Sequence, residues 1–100
     1  MIRFPFNKTI VHSVSFKNPD GSPRDPTTVI FRIRDPKNVE VVYETGTGQA
    51  PTNPQPGTYK VTYKATEWGV WEWEATGESV DYEAQLGRRE YFIEKPISAT

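Results

Sequence analysis

Two consecutive runs of alternating apolar and polar side chains, both within residues 56–77, constrain the fold more than any other feature of the sequence. A period of two residues places every second side chain on the same face of a β-strand. The pattern therefore predicts an antiparallel hairpin whose two strands each have one buried and one exposed face. The apolar positions of the two strands are Tyr59, Val61, Tyr63, Trp71, Trp73 and Ala75.

The rest of the sequence contains five more segments with the alternation of a strand, separated by turn-forming residues. Gly87 lies between the last two segments and is placed for a bend or a β-bulge. Residues 18–26 and 45–56 are rich in proline and are predicted as exposed loops, because proline cannot donate a backbone hydrogen bond inside a sheet. Residues 1–8 are predicted as a lead segment outside the strands. The five strands are predicted at 9–16, 28–34, 39–44, 80–87 and 88–95.

Seven short strands without helical periodicity predict an all-β fold, an immunoglobulin-like antiparallel β-sandwich. A chain of 100 residues is long enough for one hydrophobic core, so we expect a single domain over residues 1–100. Only 35% of the residues are hydrophobic, but 13% are aromatic. Since each buried ring removes about 150–250 Å² from water, the core is expected to be thin and aromatic.

The charges are balanced overall but unevenly distributed. The formal net charge is −1, which predicts neither a nucleic-acid partner nor binding to an anionic membrane. Residues 1–64 contain nine Lys or Arg against five Asp or Glu, and residues 65–100 contain three against eight, so the two parts carry +4 and −5. In a sandwich these charges either cancel or form basic and acidic faces suited to head-to-tail contacts.

Few residues suit catalysis or metal binding. Cysteine is absent, and a single histidine, His12, cannot supply the usual ligands of zinc. The aspartates lack the D-x-D spacing of a calcium loop, and the first residues lack the apolar run of a signal peptide. Glu72 and Glu74 resemble a carboxylate pair, but their position on a solvated strand face favours cross-strand ion pairs. We therefore predict no enzymatic activity and no cofactor. The expected partners of the two glutamates are Lys60, Lys64, Arg32 and Arg34.

The three tryptophans are the residues best suited to binding. The alternation of Trp71 and Trp73 with glutamates favours core positions over a platform for stacking sugars. Trp68 lies in the predicted turn, where it either caps the end of the sandwich or is an exposed anchor for a partner. A carbohydrate site would combine Trp68 with Tyr43 or Tyr82.

Most of residues 25–95 is covered by a series of short motifs. They are Asp25-Pro26-Thr27-Thr28-Val29, Phe31-Arg32-Ile33, Asp35-Pro36, Gly57-Thr58-Tyr59-Lys60-Val61, Gly69-Val70-Trp71-Glu72-Trp73, Thr76-Gly77 and Glu90-Tyr91-Phe92-Ile93. In this order the motifs resemble the small immunoglobulin-like proteins encoded in the structural modules of tailed bacteriophages. Filamin-type and bacterial cell-surface repeats share part of this pattern, but they usually occur in tandem within long chains, so the phage family is favoured. The sequence departs from the family pattern at Lys37 and Asn38, which replace a turn glycine, and at Trp68.

The resemblance implies a structural protein of the virion, assembled in the host cytoplasm, that decorates or cements the capsid or forms part of the head–tail connection. Its partners would be other virion proteins, such as capsid, portal or connector subunits, and copies of itself. A module that binds carbohydrate or a cell surface is the alternative, and an accessory domain of an enzyme is a third. The candidate contact residues are Trp68, Arg32, Arg34, Glu72, Glu74, Asp20, Thr47 and Asn53.

Overall fold

The computed structural model of the protein describes residues 2–96, which form eight β-strands and contain no helix. The alternation of buried and exposed side chains follows the predicted period of two, most clearly in the second, third and sixth strands. The strands are β1 (Ile2–Phe4), β2 (Thr9–Ser15), β3 (Thr28–Arg34), β4 (Glu40–Glu44), β5 (Thr52–Gln55), β6 (Thr58–Lys64), β7 (Gly69–Ser79) and β8 (Tyr82–Ile93).

The strands form two sheets that pack face to face. One sheet has five strands in the order β1-β8-β7-β3-β4, and the other has three in the order β2-β6-β5. All neighbours are antiparallel except β1 and β8, which run parallel. The order β2-β6-β5 against β4-β3-β7-β8 is that of an immunoglobulin-like sandwich with an added edge strand, so the predicted fold class is confirmed.

The predicted hairpin within residues 56–77 is wrong, although both of its strands exist. β6 pairs with β2 and β5, whereas β7 pairs with β3 and β8. The connection between β6 and β7 therefore crosses from one sheet to the other. The buried faces of the two strands meet across the core, where the rings of Tyr63 and Trp71 stack with centroids 5.7 Å apart.

Two strands occur where none was predicted. β1 lies in the lead segment and β5 in the loop predicted at 45–56. Both are edge strands of three and four residues, too short for a periodic pattern. Pro54 lies within β5, and an edge strand accepts proline because one side of its backbone needs no partner.

The two strands predicted at 80–87 and 88–95 are one strand, β8. The bulge predicted at Gly87 is confirmed. Arg89 lies opposite Trp73 and Leu86 opposite Ala75, so that two residues of β8 face a single residue of β7 at this point. The irregularity bends β8 without ending it.

The core lies between the sheets, and five of the twelve buried apolar residues in the described part of the chain are aromatic. Trp71 is 7% exposed, and Trp73 is partly buried against the core, so the alternation assigned both side chains to the correct face. The rings of His12 and Trp73 stack with centroids 4.1 Å apart. The buried apolar residues are Ile10, Phe16, Val29, Phe31, Ile33, Tyr59, Val61, Ala65, Trp71, Ala75, Tyr91 and Ile93.

Asp25 joins the loop before β3 to the turn between β5 and β6. Its Oδ1 accepts hydrogen bonds from the backbone N–H of Gly57 at 2.7 Å and from Asn53 and Tyr59 at 3.2 Å. These bonds lower the pKa of the Asp25 carboxyl, and the bond from Gly57 makes the largest contribution. Gly57 has a φ of +78°, and a Cβ at this position would lie 2.7 Å from the carbonyl oxygen of Phe16. Only glycine fits this turn without displacing its neighbours.

Candidate functional site

Trp68 is a partly exposed tryptophan in the crossing between β6 and β7. Its side chain is 45% exposed. The ring lies beside Phe6, with centroids 6.0 Å apart, and 5.9 Å from the ammonium group of Lys95. The indole thus covers Phe6 at the end of the sandwich, which is the first role expected from the sequence. It also presents almost half of its surface to solvent, as the second expected role, an anchor for a partner, would require.

The surrounding turns hold Trp68 in place. The indole N–H of Trp71 donates to the carbonyl oxygen of Glu67 at 2.9 Å, and the Glu67 carboxylate pairs with Lys37 at 3.3 Å. Gly69 has a φ of +124°, and a Cβ there would lie 2.9 Å from the Cβ of Pro36. The crossing therefore packs closely on the turn between β3 and β4. We call the group Phe6, Pro36, Glu67, Trp68 and Lys95 the Trp68 end.

The tyrosines considered for a carbohydrate site do not join Trp68. Tyr82 lies beyond the other end of β7, a strand of 11 residues that spans about 36 Å. Its ring packs under the guanidinium of Arg24 at 4.6 Å, and its hydroxyl donates to the carbonyl oxygen of Lys17. Tyr43 is half-buried and packs against the core. The described residues place only Phe6 in ring contact with Trp68.

Four of the candidate residues lie together on the outer face of the five-stranded sheet. Arg32 lies directly opposite Glu74, and Arg34 directly opposite Glu72. The predicted cross-strand positions of the arginines are therefore confirmed, but the predicted ion pairs are wrong, because both arginines pair with Glu40 and Glu72 pairs with Arg88. For Lys60 and Lys64 the prediction is wrong, because they belong to the other sheet.

Ion pairs extend this group into a charged stripe across four strands. The two arginines lie 3.4 and 3.6 Å from the Glu40 carboxylate, and Arg88 donates to Glu72 at 3.0 Å. Exposed pairs of this kind each contribute only about 0–1 kcal/mol to stability. The stripe therefore contributes little to the stability of the fold, and its charged groups are available for contacts with a partner. It consists of Arg32, Arg34, Glu40, Glu72, Glu74 and Arg88.

The remaining candidates lie apart from one another and order their own loops. Asp20 accepts hydrogen bonds from the N–H and hydroxyl of Ser22 at 2.9 and 2.6 Å. The hydroxyl of Thr47 donates to the carbonyl oxygen of Glu44 at 2.7 Å. Asn53 donates to a carbonyl oxygen of β6 at 3.0 Å. Each contact organises a turn, and the structure does not bring these residues into one site with Trp68.

The outer face of the three-stranded sheet is a surface that sequence reasoning missed. Strands β2, β5 and β6 contain no Asp or Glu, whereas the five-stranded sheet contains seven glutamates and five arginines. The sequence of β6 already shows two lysines and no carboxylate, but the incorrectly predicted hairpin placed this strand beside the glutamates of β7. The outward residues of β2 and β6, which we call the lysine face, are Thr9, Val11, Ser13, Ser15, Thr58, Lys60, Thr62 and Lys64.

One polar group lies inside the core. His12 is 6% exposed, and its Nε2 shares a hydrogen bond of 2.7 Å with the hydroxyl of Tyr63, which in turn bonds to the hydroxyl of Tyr91. Burial lowers the pKa of His12 from 6.5 to about 4 and raises the pKa of both tyrosines. At neutral pH all three side chains are uncharged and link the two sheets.

The sequence matches no protein-family model, and no curated protein sequence is significantly similar to it. Within residues 2–96 there is no cluster of three or more side chains that could hold a metal ion. None of the described segments is a helix able to cross a membrane.

Proposed function

We propose that the protein is a non-enzymatic structural component of a tailed-phage virion, which decorates or cements the capsid or forms part of the head–tail connection. It acts through protein–protein contacts. The observation that carries the proposal is the Trp68 end, where a tryptophan packs on Phe6 and is exposed to solvent. The resemblance of residues 25–95 to phage immunoglobulin-like proteins supports the same function.

A fixed, exposed tryptophan is well suited to anchor a partner. Tryptophan is enriched among the residues that dominate interface energies, and one whose ring already packs against Phe6 loses little conformational freedom on binding. The side chain is 45% exposed, which corresponds to about 110 Å² of a full surface of roughly 250 Å². At about 25 cal/mol per Å², covering this area contributes about 3 kcal/mol, or roughly a hundredfold in affinity.

The proposal is tested by the protein composition of purified particles. Mass spectrometry of particles from the phage that carries the gene should detect the protein in a fixed ratio to the capsid subunit. Its absence from intact virions would refute the proposal.

A complementation experiment tests the anchor. Particles assembled with Trp68→Ala in place of the normal protein should incorporate at least tenfold less of it, since the anchor is lost. Val80→Ala, which removes a fully exposed apolar side chain at the far end of β7, is the matched control and should be incorporated normally. Equal incorporation of the two variants would exclude Trp68 as the anchor.

Carbohydrate binding predicts a different outcome for the same residue. A stacking site normally needs two rings exposed together, and the ring next to Trp68, that of Phe6, is half-buried. Binding of the purified protein to a panel of immobilised glycans, lost in Trp68→Ala, would support a carbohydrate module in place of a protein contact.

A further inference from the structure

We propose that copies of this protein associate head to tail, with the lysine face of one copy against the outer face of the five-stranded sheet of the next. The inference rests on the proposed function, since it names a second copy as one of the partners in the assembly. It depends on the placement of charge on the two faces of the sandwich.

The lysine face carries positive charge that its own copy does not neutralise. Across the strand pair, Lys60 lies opposite Ser13 and Lys64 opposite Thr9, so the cross-strand neighbours of both lysines in β2 carry hydroxyl groups and no charge. Neither lysine forms an ion pair with any residue in the range 2–96. With no carboxylate in β2, β5 or β6, the negative charge that complements this face lies outside the sheet.

The outer face of the five-stranded sheet carries negative charge that its own copy does not neutralise. Glu78 of β7 lies directly opposite Glu83 of β8, and like charges in this position repel each other. Glu44 lies on β4 of the same outer face, opposite Ile30. Among the described residues these three glutamates form no ion pair, because the arginines of the stripe pair with Glu40 and Glu72. We call Glu44, Glu78 and Glu83 the acidic patch.

The spacing of the two sets of charges is similar. Lys60 and Lys64 are four residues apart on one strand, a distance of about 14 Å at about 3.4 Å per residue. Glu44 and Glu78 are separated by two strand spacings of about 4.8 Å and by two residues along β3, a distance of about 12 Å. One lysine can thus lie near Glu44 while the other lies between Glu78 and Glu83. The contact would relieve the repulsion within the patch.

The size of the face predicts a weak contact. Three strands of up to seven residues cover about 24 by 14 Å, or roughly 340 Å² per copy. The total of about 700 Å² is below the range of about 1,200–2,000 Å² for stable interfaces. We therefore expect monomers in dilute solution at physiological salt. Association requires low ionic strength or the high local concentration of a particle surface.

The contact is also directional. A symmetric dimer through the lysine face would place lysine against lysine, so the charges favour two different faces meeting. A pair of copies then keeps one free face of each kind, and such contacts close into rings or continue as filaments. This arrangement is compatible with repeated copies on a particle.

Sedimentation velocity and small-angle X-ray scattering of the purified full chain test the inference. At about 0.02 M salt the protein should associate, and at about 0.3 M, where screening is several times stronger, the association constant should fall at least tenfold. The double variants Lys60→Glu/Lys64→Glu and Glu78→Lys/Glu83→Lys should each be monomeric at low salt. Their equimolar mixture should associate again, because each supplies the face that complements the other.

A control separates the charge of the lysine face from other effects of substitution there. Lys60→Arg/Lys64→Arg keeps both positive charges on the same strand and should associate like the wild type. Circular dichroism of every variant checks folding. The inference is overturned if the wild type stays monomeric at low salt, if the control loses association equally, or if the mixture fails to associate.

The two proposals fail separately. Detection in virions together with a protein that never associates at low salt would overturn the head-to-tail contact alone. Salt-dependent association of a protein that is absent from virions would overturn the virion function and leave the contact between copies standing.

Discussion

We expect acidification from pH 7.5 to 5.0 to lower the free energy of unfolding by about 2 kcal/mol through the single histidine, His12. The pKa of His12 falls from 6.5 to about 4 because the side chain is buried against Trp73, Tyr63 and Tyr91. Between these two values the unfolded chain binds a proton that the folded protein does not, so stability is lost as the pH falls. Each pKa unit corresponds to about 1.36 kcal/mol, which gives a full loss of about 3 kcal/mol below pH 4.

Urea unfolding followed by tryptophan fluorescence at several pH values measures this effect. The variant His12→Gln keeps a polar side chain that does not titrate, so its stability should be nearly constant between pH 7.5 and 5.0. Hydrogen bonds lower the pKa of Asp20, Asp25 and Asp81, so these groups reduce stability only at lower pH and do so in both proteins. A flat wild-type curve, or an equal slope in the variant, would refute the assignment to His12.

Two further results follow from the packing. Gly57→Ala should lower the Tm by at least about 8 °C, since the left-handed backbone and the contact with Phe16 together cost more than about 2 kcal/mol. Gly48→Ala is the control, because the space around Gly48 is open. Equal Tm values for the two variants would contradict the expectation. Iodide should quench mainly Trp68, because Trp71 is buried. Quenching that persists undiminished in Trp68→Phe would show that another ring is exposed.

Alternation predicted which side chains are buried but not which strands are neighbours. The pattern at Tyr63 and Trp71 is equally satisfied by two rings side by side in one sheet and by two rings facing each other across a core. The structure has the second arrangement, with β6 and β7 in different sheets. Strand pairing depends on contacts distant in sequence, and the connecting segment carries no two-residue turn signal that would require a hairpin.

The short edge strands β1 and β5 could not be predicted from the sequence for a related reason. β1 has three residues and is ordered by parallel pairing with Tyr91, Phe92 and Ile93, almost the whole chain away. No local pattern encodes such a contact. β5 was predicted as a loop because Pro54 and its polar neighbours resemble one, and an edge position accepts them.

The candidate site was predicted in part. Trp68 was identified from its place in the connecting segment, and the structure confirms that it is partly exposed. The basic part of the sequence, residues 1–64, does not correspond to one face, because Arg32 and Arg34 belong to the five-stranded sheet. Lys60 and Lys64, in a three-stranded sheet whose strands contain no carboxylate, define a basic surface, and the strand order was needed to recognise it.

The parallel pairing of β1 and β8 has a mechanical consequence. The chain enters β1 at Ile2 and leaves β8 at Ile93, at opposite ends of the paired segment. A pulling force between the two ends therefore acts along the strands, so that their hydrogen bonds, including the one from Glu94 to Phe4, are loaded in shear and must break together. In a hairpin pulled open from its ends the bonds would break one at a time. The small β1 strand thus acts as a clamp that resists extension of the sandwich along its length.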